Sequence, residues 1–268
     1  GTVLQYMPNT GGRPDIGVLP RWTAMWMISQ SPLMRRVMLA QGDASGSVPW
    51  HLRDYATGRC ITIDAHPGIS TEWMNGEGAD AFSGGAFDNS GAGWTPDTAH
   101  QPQLSYVPYL ITCDRWYLDL LQSEANHTML HNNASYRGHE DGLVADGHGG
   151  QARSAAWGMR NLGMCAYITP DTHPLKSYFN AKVGTNLSAY VLDYITNGLM
   201  DSAGDIKGYE PVEGRYLRVV FEDYIATAIG LVSLMGFANA STYLSWKTNF
   251  EAGRWFSPDF PTSHAVGY

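Results

Sequence analysis

Apolar positions recur with a helical period in four pairs of segments, and a few polar residues join the members of each pair. Over residues 151–169, Ala152, Ala155, Ala156, Met159, Gly163, Ala166 and Tyr167 fall on one stripe of a 3.6-residue helix. The stripe ends at Thr169-Pro170-Asp171, and a second helix is predicted over 173–197. Residues 216–237 repeat the arrangement with Leu217, Val220, Phe221, Tyr224, Ala228, Leu231, Val232 and Met235, and a short turn leads to a helix over 242–256. Two further pairs are predicted, 21–29 with 32–41 and 101–112 with 114–131. Ser31 reads as an N-cap with Pro32 at the first helical position. Pro108 should kink its helix or mark the true start. Tight polar turns of this kind join antiparallel helices.

Long polar stretches separate the pairs. Residues 42–99 are rich in Gly, Asp, Ser and Trp, 134–150 in Gly, and 200–214 are acidic and Gly-rich. Segments of this length are commonly functional. Residues 46–63 are consistent with a short β-hairpin around Thr57-Gly58. No interdomain linker stands out. The 268 residues read as one all-helical domain of serial αα-hairpins, complete or a piece of a longer chain.

Composition narrows the partners. Twenty-five acids against 17 bases give a formal charge of -8, which argues against a nucleic-acid partner. No apolar run reaches the ~20 residues of a membrane span. Three cysteines are too few and too scattered for a disulfide framework or a zinc site, and Cys113 and Cys165 are expected as buried free thiols. The run from His139 to His148 has metal-binding residue types without a metal-binding spacing, so no metal or other cofactor is expected. Nine Trp and 15 Tyr can fill a core, and such rings also line sugar and ligand clefts because they pair an apolar face with a polar handle.

The segments preceding the first helix of each hairpin carry the candidate chemistry. They hold Arg13 and Asp15, then Trp94, Asp97 and His100, then Asp146, His148 and Arg153, then Glu210, Glu213 and Arg215. If the first helices form an inner layer, these segments converge on one rim.

Serial αα-hairpins with aromatic-rich first helices and polar loops on one rim resemble the α/α-toroid carbohydrate-active enzymes, namely polysaccharide lyases and six-hairpin glycosidases. The resemblance is architectural and covers most of the chain. It implies a mainly α fold, a toroid or partial toroid, and a polysaccharide or oligosaccharide partner. Four hairpins are fewer than a six-hairpin ring. In the lyases of that class a His or Tyr removes the proton beside a uronate carboxylate, which Asn, His or Arg neutralises. The matching candidates are His100 and Tyr106 for proton transfer, with Asn126, Arg137, His148 and Arg153 around the carboxylate. Arg13, His51 and Arg53 are further anion-binding candidates, and Trp50, Trp94 and Trp157 are candidate stacking platforms. A glycosidase would instead need a carboxylate pair, drawn from Asp15, Asp97 and Glu210. A lyase is favoured over a hydrolase. The competing class is a non-catalytic carbohydrate-binding or virion-surface module. The same resemblance favours an extracellular, periplasmic or virion-associated setting, and the oligomeric state stays open.

Overall fold

A computed structural model of the chain describes residues 2–9, 12–71, 76–80, 93–144, 152–198, 219–256 and 258. The fold is mainly α. Its eight α-helices among the described residues are α1 (Arg21–Ser29), α2 (Pro32–Ala44), α3 (Tyr106–Thr112), α4 (Arg115–His131), α5 (Ala152–Ile168), α6 (Lys176–Tyr190), α7 (Val219–Leu234) and α8 (Ala240–Phe256). They follow one another as the four predicted pairs. No helix among the described residues is long and apolar enough to cross a membrane.

The turns show why the pairs form. Gln30 and Cys113 adopt left-handed backbone conformations, with φ of 54° and 55°. Each returns its N–H to the carbonyl four residues back, at 2.7 and 2.8 Å, and so closes α1 and α3. Pro32 then starts α2, and the Asp114 carboxylate caps α4 by accepting the Trp116 N–H at 2.9 Å. Ser31 makes no side-chain cap. Cys113 is exposed, a correction to its expected burial, because a residue that turns the chain outward at a helix end leaves the apolar stripe. Cys60 and Cys165 are buried thiols.

Pro108 marks a start. It lies in the first turn of α3, where a helix has no internal use for the missing N–H. Residues 101–105, predicted as helix, therefore form the irregular segment that leads into α3. The expected β-hairpin shrinks to one bridge between Arg53 and Cys60, and no strand forms among the described residues. The pairing ends early because Trp50 turns into the interior on one side, and on the other the Ile63 N–H binds the Tyr178 hydroxyl of α6 at 3.3 Å.

Helix α5 is the hub. Fifteen of its 17 residues are buried, so it is covered on every face instead of showing one stripe to a core. It packs chiefly against α7, α4 and α6, and α8 closes against α7. The main apolar core runs through these helices, and a second cluster centred on Trp22, Met38, Trp50 and Leu104 underlies α1–α3. Tyr106 packs against both.

Candidate functional site

Polar groups buried inside the helix layer fix the segment that carries His100. Glu124, in the middle of α4, is fully buried. Its carboxylate accepts the Ser105 hydroxyl at 2.6 Å, the Gln103 amide at 3.0 Å and the Leu104 N–H at 3.3 Å. Gln101 donates to the Glu124 carbonyl at 2.6 Å and accepts from the Thr128 hydroxyl at 2.8 Å. The irregular segment thus has its polar groups satisfied by α4, which is what allows a buried chain to forgo helix or sheet. Burial pushes the Glu124 carboxyl up to about 7, against the opposing pull of these hydrogen bonds and of Arg160.

His100 ends a short helical turn, Thr98–His100, that Asp97 precedes. The Thr98 hydroxyl donates to Ser154 at 3.1 Å and ties this turn to the start of α5. His100 Nδ1 is bonded to the Asp97 carboxylate. With Nδ1–H donated to a carboxylate, Nε2 holds the imidazole lone pair. Burial holds the imidazole below its ordinary range. Asp97 opposes that shift through its hydrogen bond and charge, while the charges of Arg153 and Arg13 reinforce it. Burial and the two arginines thus favour the neutral ring, the state a proton acceptor requires.

Two guanidiniums act on this ring through their charge. Arg153 stands in the first turn of α5, is 5% exposed, and lies 4.8 Å over the Phe221 ring of α7. Its Nε has no hydrogen-bond partner among the described residues. Arg13 donates Nη1 to the Met7 carbonyl at 2.9 Å, and its Nε sits 3.2 Å from Asp15 Oδ1. Arg13 Nη2 is buried without a hydrogen-bond partner among the described residues. Asp15 is buried and accepts the Leu4 N–H at 3.3 Å. Buried donors without a partner among the described residues, near enough to a histidine–carboxylate dyad for their charge to act on it, are suited to an anionic oxygen.

The structure thus brings Arg13, Asp15, His100 and Arg153 into one neighbourhood and separates other candidates from it. Tyr106 feels the charge of Tyr167 at the far end of α5, fourteen residues or about 21 Å from Arg153, so His100 and Tyr106 do not share one site. Burial raises the Tyr106 hydroxyl above its ordinary range. Trp50 and Trp157 are each 2% exposed, so neither presents a ring face to a sugar, which corrects their reading as platforms. Trp50 lies 5.4 Å from the His127 ring, and Trp157 lies between Tyr224 and Arg160.

Arg137 is likewise a structural residue. It is fully buried and donates to the carbonyls of His139, Asn132 and Pro67 at 3.1, 3.0 and 2.8 Å, so each of its three nitrogens is engaged by the backbone and the group is shut away from a substrate. Asn126 is buried between the Ile61 carbonyl and the Tyr178 hydroxyl. His51 is held by Trp50 and the Ser45 carbonyl, and burial lowers its pKa. Arg53 is exposed and reaches Gly58 and Asp119. Trp94 is half-buried and lines a cavity of about 420 Å³ with residues 2–5, Gln41 and Ala44. Asp146, His148, Glu210, Glu213 and Arg215 lie outside the described residues. Among the described residues no cluster of His, Cys, Asp or Glu is placed to hold a metal ion.

Two residues central to this arrangement escape a reading of the apolar pattern, Glu124 and Arg160. Each is a charged residue in the middle of a helix most of whose residues are buried, which the apolar stripe alone does not reveal. No family model, no curated protein and no solved structure matches the chain, so its function is to be read from the chemistry around His100.

Proposed function

We propose that this chain is a carbohydrate-active enzyme of the lyase kind, acting on a uronate-containing polysaccharide by β-elimination. The observation that carries this reading is the meeting of the hydrogen-bonded His100–Asp97 pair with two buried guanidiniums, Arg153 and Arg13, whose charge acts on the imidazole and which keep donors without a partner among the described residues. A uronate carboxylate bound by these arginines has its charge neutralised, and the adjacent C5–H becomes more acidic. His100 Nε2 takes that proton. The electron pair forms the C4–C5 double bond, and the C4–O4 bond breaks. The leaving oxygen takes a proton from the imidazolium or from water. The hydrolytic alternative draws less support, since Asp15 is held by Arg13 and Asp97 by His100. We read the four hairpins as an arc of an α/α toroid. In favour of that reading, α5 and α7, the first helices of consecutive hairpins, pack side by side.

The test is incubation with a panel of uronate polymers, following the ultraviolet absorbance of the unsaturated product beside a reducing-end assay. The wild type should raise both signals. His100→Ala and Arg153→Gln should each lower the rate by about 100-fold or more with the circular dichroism unchanged. Reducing ends without the absorbance, or full activity in both folded variants, overturns the reading.

A further inference from the structure

Arg160 stands in the middle of α5, is 1% exposed, and serves two separate parts of the chain at once. Its Nη1 donates to the Gly17 carbonyl and its Nη2 to the Gln101 carbonyl at 2.7 Å. Nε donates to the Asn161 side chain at 3.1 Å, and the guanidinium lies 4.6 Å over the Trp157 ring. No carboxylate pairs directly with it among the described residues, and Glu124 acts on it only through its charge. Burial accordingly lowers its pKa to about 9. A buried cation without a contacting counterion is costly. What the arginine accomplishes in that place is geometric. Gln101 directly follows His100, and Gly17 belongs to the loop that carries Arg13 and Asp15. One rigid planar fork therefore holds both segments against α5, from whose first turn Arg153 projects.

We propose that Arg160 is a positioning residue that sets Arg13 in register with the His100–Asp97 dyad, a role in catalysis that rests on the lyase reading above. Lysine keeps the charge but replaces the planar fork with a single ammonium that cannot span both carbonyls in the same way. Arg160→Lys should therefore let the Arg13 loop move away from His100 while the Asp97 contact, which lies on one segment, survives.

Titration of the His100 imidazole by nitrogen-15 NMR tests this, with the signal assigned by its loss in His100→Asn. The charged groups acting on this ring are Asp97, Arg153 and Arg13. Arg13→Gln should raise the midpoint, since a nearby cation is removed. Arg160→Lys should raise it in the same direction with Nδ1 still protonated. The double variant should shift no further than Arg13→Gln alone. An unchanged midpoint in folded Arg160→Lys, or two shifts that add in full, overturns the proposal. If Arg160→Lys does not fold, Asn161→Ala releases Nε only and should give a smaller shift in the same direction, and no shift there overturns it too. On a uronate polymer that the wild type cleaves, Arg160→Lys should lower kcat by about 10- to 100-fold, the penalty of misplacing a reacting group by about an ångström. A wild type that cleaves none of the polymers refutes the lyase reading while leaving the NMR result to decide the geometry.

Discussion

Glu124 keeps its proton up to about pH 7 because its oxygens are removed from water, and the unfolded carboxyl lets it go near 4.5. The sign of the consequence is fixed. The folded chain binds more protons than the unfolded chain between these values, so this group's stabilising share is full below about 4.5 and is lost as pH rises through about 7. The difference of the two values corresponds to about 3 kcal/mol. Glu124→Gln preserves the shape and resembles the protonated acid. Its amide can donate to the Ser105 hydroxyl while its carbonyl accepts from Gln103 and Leu104. Urea unfolding at about pH 5 and about pH 8 should show the wild type losing about 3 kcal/mol more than the variant between the two. Equal pH slopes would mean that Glu124 is ionised in the fold throughout. The same carboxyl shows why part of the site was hidden in the sequence. Gln122, Ser123, Glu124, Asn126, His127 and Thr128 are polar residue types that ordinarily face water, yet all six are buried. They are covered because the irregular segment at 101–105 and the loop around Ile61 need partners for their own polar groups, a demand that arises only once the chain has folded.

Helices α4, α5 and α7 approach closely where α5 has glycine. A Cβ at Gly158 would stand 2.7 Å from Thr128 Cγ2, and one at Gly163 would stand 2.6 Å from Val232 Cγ2. Alanine favours a helix over glycine by about 1 kcal/mol, but overpacking costs about 1–3 kcal/mol. Gly158→Ala and Gly163→Ala should therefore be neutral to destabilising by up to about 2 kcal/mol. At Gly184 in α6 and Gly230 in α7 an added methyl would meet nothing within 4 Å, so the same substitution there should stabilise by about 0.5–1 kcal/mol. Thermal melts of the four variants separate packing from propensity, and a uniform gain at all four sites would remove the close contacts from the account. At this scale the sequence was legible where periodicity and turn chemistry agree. The predicted helix over 151–169 is α5 to within a residue at each end, and the turns at Gln30 and Cys113 fall where the polar breaks do. It was illegible at 101–105, where apolar spacing suggests a helix but Pro102, Pro108 and the bonds to Glu124 decide otherwise.

Across the whole molecule, the net charge has the same sign as the proposed substrate, while the site offers it two arginines. The chain carries a formal charge of -8, while Arg13 and Arg153 hold buried donors without a partner among the described residues, and their charge acts on His100. A polymer of uronates is itself a polyanion, so its approach is opposed by the net field and favoured only at contact. Salt separates the two effects, because exposed charges more than a Debye length apart are screened and buried contacts far less so. That length falls from about 30 Å at 0.01 M to about 8 Å at 0.15 M. KM for a uronate polymer should accordingly fall over that range, with kcat nearly constant, as repulsion is screened before the arginine contacts weaken. Arg153→Gln should raise KM at both salt levels without reversing the trend. A KM that climbs steadily from the lowest salt would mean that attraction at long range governs encounter, and a basic face would then have to be sought elsewhere on the chain. No single helix produces this contrast between field and site. It follows from placing two arginines, drawn from segments some 140 residues apart, beside one histidine in an acidic protein.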